Sequence, residues 1–389
     1  MNTHYQFQTA DKLIAGIGVF TELVSHLQKA VPSVERVLIV TQPFVKKLDF
    51  YQVMTSSLEK AGLSYEVVTD VEPEPTEANI ENIKERVRHS SYDVLIGLGG
   101  GSVLDSTKLL SVLLSNTCTI QDILGTDLVK EPGIPTVLIP TTSGTGSEVT
   151  PNAIVTFPDK ELKIGIVSRH LLPVLVVLDP LLTVSLPKPI TAATGMDAFT
   201  HSLESFISNK ANRFSDMFAL ESIRLIADGI QTAYHDGSNV EAREKMLIGS
   251  AYGGMALTAA GTAAVHAMAY PLGGKFKVTH GVANSMLLPH VMAYNMDAIV
   301  ERLAQVAEPM GIPLDQGATA QQKAEAVVQT IKEWTAEFSI PQDLTQFGVR
   351  EDDLEDLAIA AVQVKRLMDN NPKEMTVNDA IQIYKKLLA

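Results

Sequence analysis

The stretch VLIGLGGGSVLDSTKLLSVLL, residues 94–114, decides how this chain folds. Its first five residues are apolar, run into glycine and are too few for a buried helix, so they predict a strand. Gly99-Gly100-Gly101-Ser102 then turns the chain directly into a Leu-rich helix over 103–114. A strand delivered through a glycine turn into a helix N-terminus exposes unpaired N–H groups and the positive end of the helix dipole, which suit a phosphate. Without Cβ atoms, a diphosphate can approach the backbone closely. The spacing is not that of a Walker A loop, since Lys108 sits inside the helix, and the strict G-x-G-x-x-G is also missing. On its own the turn reads equally as a phosphate cradle or as a structural βα turn.

Outward from this unit, Val37–Thr41 (VLIVT), Tyr65–Thr69, Thr136–Pro140 (TVLIP) and Val174–Asp179 (VLVVLD) read as further short strands. Helices are predicted over Val45–Ala61 and Thr76–Ser90. Strands alternating with helices imply βαβ units and a mostly parallel sheet. A second loop, TTSGTGSE over 141–148, follows the 136–140 strand and offers hydrogen bonds without bulk. Open α/β sheets bind ligands at such carboxyl ends, although Ser147 as a plain helix N-cap also accounts for it.

After Pro187 the pattern becomes helical, at roughly 190–208, 214–235, 240–270, 284–308, 320–338, 351–368 and 376–388. The expected domains are therefore an α/β half over 1–186 and an all-helical half over 187–389, a cleft between them being the expected ligand site.

Composition narrows the function. The 389 residues carry 31 Lys+Arg against 45 Asp+Glu, a formal charge of −14, which argues against nucleic acid and against a polybasic membrane anchor. No apolar run approaches the ~18 residues of a membrane span, and no signal-like start is present. The lone Cys118 excludes an internal disulfide framework. The expectation is a soluble, cytoplasmic protein.

In the helical half, Ala192, Met196, Phe199, Leu203 and Phe206 form a core stripe, and Asp197, His201 and Glu204 form the adjacent line at i, i+4, i+7. Asp197 and His201 project from one face, as a metal pair or as a surface ion pair. His266 lies among small apolar residues, as a hydrogen-bonded core imidazole or a ligand; His280 follows fourteen residues later. One carboxylate and three imidazoles would suit a divalent first-row ion. His290 reads as structural.

Taken together, GGGSVLDSTK (99–108), PTTSGTGSE (140–148), GMDAFTHSLE (195–204) and HAMAYPLGGKFKVTHGVANSMLLPH (266–290) resemble the iron-containing, group III alcohol dehydrogenases. The resemblance runs through nearly the whole chain. It implies an N-terminal dinucleotide-binding α/β domain and an all-α C-terminal domain, the dehydroquinate synthase-like architecture. It implies a metal between them at Asp197, His201, His266 and His280, Fe2+ first and Zn2+ as the alternative. It also implies NAD(H), with the pyrophosphate at Gly100, Gly101 and Ser102 and Asp105 near the nicotinamide ribose. Thr141, Thr142 and Thr145 would line the adenine and ribose side, with Asn152 and Lys163 along the cofactor and substrate channel. Relatives are commonly dimers or larger, which implies a homo-oligomer.

Three positions depart from the family pattern. Gln42 replaces an acid that would bond a ribose 2′-OH, which leaves NADP(H) open. Glu74 stands where many relatives carry Asn. Tyr270 replaces a His credited with proton relay, and this variant also occurs in branches acting on functionalised aldehydes. The implied reaction interconverts a small primary alcohol and its aldehyde by hydride transfer. The rivals are a glycerol-dehydrogenase-like polyol oxidase, a dehydroquinate-synthase-like lyase, a metallohydrolase using the same Asp/His set, and a non-catalytic nucleotide sensor. Lys275 and Lys277, lying between two candidate ligands, read either as solvated charges on an exposed turn or as cations that favour an aldehyde with an anionic tail.

Overall fold

The computed structural model describes residues 4–160 and 162–388. The chain forms two compact units. One comprises Gln8–Thr142 and Gly146–Ser185; the other takes Ser143–Thr145, residues 4–7 and the chain from Leu186 onward.

The first unit is a six-stranded sheet with a separate hairpin. Its elements run β1 (Leu13–Ala15), α1 (Leu23–Ala30), β2 (Arg36–Val40), α2 (Asp49–Lys60), β3 (Ser64–Val68), α3 (Glu77–Val87), β4 (Val94–Gly99), α4 (Gly101–Ser115) and β5 (Thr136–Pro140). The hairpin β6 (Asn152–Phe157) and β7 (Leu162–Val167) comes next, and β8 (Leu175–Leu178) closes the sheet. The sheet order is β1-β8-β5-β4-β2-β3, with every pair parallel. Both faces of the inner strands are covered, which is why β2, β4, β5 and β8 read as apolar runs. Val37, Ile39, Ile96 and Leu98 pack with Leu27 of α1 and Met54 of α2, while the alternate residues Leu38, Val40 and Leu95 pack with Ile83 of α3 and Leu109 of α4.

From β2 the chain lays β3 on one side and β4 on the other. This reversal puts a topological switch point at the carboxyl ends of β2 and β4, where a ligand crevice is expected. Gln42 follows β2 and the GGGS turn follows β4, so both sequence candidates flank it.

The second unit is helical: α5 (Lys188–Ile207), α6 (Arg213–His235), α7 (Val240–Ala260), α8 (Ala264–Phe276), α9 (His280–Ala304), α10 (Ala320–Glu337), α11 (Leu354–Val362), α12 (Lys365–Met368) and α13 (Val377–Lys385). The core stripe expected on α5 is buried, with Phe199 edge-on to Trp334 at 5.2 Å.

Several expected boundaries are corrected. The single helix predicted over 240–270 is two, because Gly261 adopts φ 72 and breaks the chain between α7 and α8. The helix predicted to open at 284 begins at His280. The Val45–Ala61 helix starts only at Asp49, after a 3-10 turn and an extended Leu48. The 351–368 segment is divided between α11 and α12. The hairpin and the short β1 were not expected at all.

Candidate active site

Four side chains of the helical unit converge. Asp197 and His201 stand one turn apart on α5, His266 lies in the first turn of α8, and His280 opens α9. One ligand atom from each lies within 4.8 Å of all the others. Asp197, His201 and His266 are buried and His280 half-buried, which sets aside the reading of Asp197 and His201 as a surface ion pair. Gly281 makes the meeting possible: a Cβ there would run into the Ala193 carbonyl oxygen of α5.

Asp197 Oδ1 is 3.8 Å from His266 Nε2 and 3.7 Å from His280 Nε2, and the His201 and His266 rings stack at 4.7 Å. Burial pushes the His201 imidazole down to about 4 against the pull of Asp197, so the ring stays neutral with a lone pair to offer. Burial alone would raise the Asp197 carboxyl, but His201, His280, His266 and the Asn284 amide outweigh it and hold it below its ordinary value. The fully buried Asn284 donates from Nδ2 to Asp197 Oδ1 at 2.7 Å.

The residues fit a divalent metal. One carboxylate and three imidazoles are the donor set such ions take. Metal–ligand bonds of about 2.0–2.2 Å imply tetrahedral ligand–ligand edges of roughly 3.4 Å, near the separations from Asp197. Among the described residues, His201 Nδ1 and Asn284 Oδ1 are buried without a hydrogen-bond partner, a polar deficit unusual for a settled core.

Tyr270 is buried against Leu367, its ring centroid 6.1 Å from that of His280. Burial raises its phenol, only partly opposed by Arg366.

In the α/β unit, Gly100 is the N-cap of α4 and Gly101 its first residue. Ser102 Oγ accepts from the Glu74 N–H at 3.1 Å. A Cβ on Gly99 would press within 2.7 Å of Val103, so glycine is required for this tight entry into the helix. Thr141 lies beside the turn, its N–H donating to Gly99 O at 3.0 Å, and the Thr142 side chain stands over Gly100. Both Asp105 oxygens are engaged, one by Ser147 Oγ at 2.5 Å and the other by the Ile154 N–H at 2.9 Å. Lys163 pairs with Glu74 at 2.7 Å, and Asn152 opens β6. Thr145 belongs to the helical unit, apart from Thr141 and Thr142.

Two groups escaped the sequence reading. Lys108 is fully buried, and its ammonium donates to the Ser147 and Asn152 carbonyls while lying 3.1 Å from Asp105. It thus ties the TTSGTGSE loop and β6 to α4. Glu148 is buried beside it, its carboxyl pushed up to about 7 by burial. Lys108 signalled itself only as a charge inside the Leu-rich helix, and Glu148, at the end of a hydroxyl- and glycine-rich loop, gave no signal of burial.

Comparison with known proteins agrees with this chemistry. The family described as "Iron-containing alcohol dehydrogenase" matches residues 10–180, and "Fe-containing alcohol dehydrogenase family, C-terminal" matches 191–388. Long-chain-alcohol dehydrogenase 1 of Geobacillus thermodenitrificans is 38% identical over 380 residues, covering 96% of this chain and 94% of that one. The crystal structure of a 1,3-propanediol oxidoreductase superposes with a TM-score of 0.94 at 32% identity, covering 99% of this chain and 100% of that one. The sulfoacetaldehyde reductase of Bifidobacterium kashiwanohense, solved with NAD+, gives 0.86 at 26% identity, covering 100% of each chain. The chain belongs to the iron-containing alcohol dehydrogenase family. It is accordingly a metal-dependent oxidoreductase that interconverts alcohols and aldehydes with NAD(H).

Proposed function

We propose that this chain reduces a small aldehyde to its primary alcohol, and the reverse, with Asp197, His201, His266 and His280 holding the metal. The observation that carries the reading is the convergence of these four buried or half-buried donors within 4.8 Å. A divalent cation held there would supply Lewis acidity toward a substrate oxygen, and a bound nicotinamide would supply the hydride chemistry. The chain's own residues bind and orient. The N-terminus of α4, with Gly100, Gly101 and Ser102, receives the diphosphate. Thr141 and Thr142 line the nucleoside side, and Asn152 and the Lys163–Glu74 pair flank the cofactor. Asp105 acts by holding the Ser147 loop and β6 in place, since its oxygens are already taken. Tyr270 closes the wall beside His280; as a buried phenol with a raised pKa it is a poor base at neutral pH.

The sulfoacetaldehyde reductase likeness brings aldehydes with anionic tails into the substrate range, but Lys275 is a weak basis for it, being paired with Asp353 at 2.9 Å. We also take the chain to be a cytoplasmic homo-oligomer, as the family resemblance implies; among the described residues no helix is long and apolar enough to cross a membrane. The test reconstitutes the metal-stripped protein with Fe2+ or Zn2+ and follows nicotinamide absorbance with NADH and NADPH over a panel of small aldehydes. Metal-dependent, aldehyde-dependent oxidation of NADH is expected. Unchanged cofactor alongside hydrolytic turnover would overturn the reading.

A further inference from the structure

We propose that Glu204 is a positioning residue that fixes which nitrogen of His266 faces the metal. The inference rests on the metal site proposed above. Glu204 lies on α5 one turn beyond His201 and is completely buried, yet it is not one of the four converging donors. Its Oε2 lies 2.6 Å from His266 Nδ1, and its Oε1 accepts from the Val265 N–H at 2.6 Å. Oε2 also receives a longer bond, 3.4 Å, from the His266 N–H. One carboxylate thus serves the first turn of α8 and the ring of its metal-facing histidine together.

The chemistry is restrictive. Both Glu204 oxygens already accept backbone N–H groups, so Oε2 meets His266 Nδ1 as an acceptor; Nδ1 then carries the proton and Nε2 keeps its lone pair. Nε2 is the atom that faces Asp197, and the Asn284 NH2 lies 3.1 Å from it, as a donor beside an acceptor should. A carboxylate behind a metal-bound imidazole orients the ring and raises its basicity, and its loss typically weakens metal binding by about 10–100-fold. Glu204 also sits at the N-terminus of α8, where the helix dipole favours negative charge and the free N–H groups need acceptors. The competing account is that Glu204 only caps α8.

Two substitutions separate the accounts. In Glu204→Gln the amide oxygen can still accept from Val265, but the NH2 turned toward Nδ1 donates. The proton then belongs on Nε2 and the ligand lone pair is lost. Glu204→Met removes the cap and leaves the tautomer free. Zn2+ affinity of the metal-stripped proteins is measured by competition with a chromophoric chelator, alongside their thermal unfolding. The positioning role predicts that Gln loses about tenfold or more in affinity, at least as much as Met, while unfolding at a higher temperature than Met. Affinity losses that simply follow thermal stability, or a Gln variant within about threefold of the parent, would overturn it. Should neither variant fold, 15N-histidine spectra of the metal-stripped parent decide: a proton on Nδ1 of His266 is expected, and one on Nε2 overturns the proposal. If instead His266→Ala keeps full Zn2+ affinity, the metal site itself is misassigned, while the parent's tautomer still reports on Glu204.

Discussion

Asn284 Nδ2 lies 2.7 Å from Asp197 Oδ1, and the same nitrogen is 3.1 Å from His266 Nε2 and 3.2 Å from His280 Nε2. An amide NH2 has two protons and cannot satisfy three acceptors. Asn284 is a neutral amide, so the charge of the Asp197 carboxylate is left for a bound cation to answer. Asn284→Asp should sharpen this need by placing a second carboxylate beside Asp197. The metal-stripped variant is expected to lose stability, on the order of 3 kcal/mol for an uncompensated buried charge. Zn2+ should restore most of it. Thermal unfolding with and without Zn2+ checks this; an equal loss in both conditions would contradict it.

Removing one imidazole should abolish metal retention. His266→Ala and His280→Ala are expected to purify without stoichiometric metal and without turnover. His290→Ala should keep both: that ring, lowered to about 4 by burial, Lys386 and Lys332, lies outside the converging group. Elemental analysis of each variant decides, and normal metal in His280→Ala would sink the assignment.

Glu148 should make the protein less stable as pH rises. Its carboxyl is pushed from 4.5 to about 7, chiefly by burial, and among the described residues Oε1 has no partner. The folded state therefore binds the proton more tightly than the unfolded chain does. The favourable term is full below about pH 4.5 and lost as pH passes through about 7. Glu148→Gln removes the titration, so relative to the parent it should gain stability between pH 5 and pH 8. At about 1.4 kcal/mol per unit the gain is on the order of 3 kcal/mol. Urea unfolding at the two pH values measures it; a difference between the proteins that does not change with pH would refute it.

What was legible in the sequence follows burial and spacing. The parallel sheet showed because strands covered on both faces become apolar runs, and the glycine turn showed because close packing on Val103 admits no side chain there. The i, i+4 spacing put Asp197 and His201 on one face. It could not tell a surface pair from a buried one, since the other half of the set arrives from α8 and α9. Glu204 was visible on the same line, but its partners lie more than sixty residues away. The break at Gly261 was hidden in a run of small residues without a polar cap; only its positive φ marks it. The β6–β7 hairpin was lost because its strands are only partly covered and lack the clean apolar run of the sheet.

Cofactor choice should respond to position 42. Gln42 stands half-buried just past β2, at the switch point. A carboxylate there accepts from a ribose 2′-OH and repels a 2′-phosphate. The parent is expected to prefer NADH, and Gln42→Asp to raise the NADH/NADPH ratio of kcat/KM by roughly tenfold, the equivalent of about 1.4 kcal/mol. Steady-state kinetics with both cofactors test it, and a strong NADPH preference in the parent would refute it.

Lys275 and Lys277 should not govern substrate charge. Lys275 Nζ lies 2.9 Å from Asp353 and 4.0 Å from Asp356, so its charge is largely answered within the helical unit. Lys277 is exposed, and its Nζ reaches back to the Gly274 carbonyl at 3.3 Å. Its backbone is the left-handed C-cap of α8, φ 57. That conformation belongs to glycine by preference and is strained for a lysine by about 1 kcal/mol. Position 277 is therefore set by how α8 ends, and Lys277→Gly should leave stability unchanged or raise it by up to about 1 kcal/mol. For Lys275→Ala and Lys277→Ala, kcat/KM for sulfoacetaldehyde and succinic semialdehyde should fall no more than that for acetaldehyde and butanal, the ratios moving by less than about threefold. Screened surface pairs contribute little, so only small changes in unfolding temperature are expected for Lys275→Ala. A tenfold selective loss toward the anionic aldehydes in either variant would return the lysines to the substrate site.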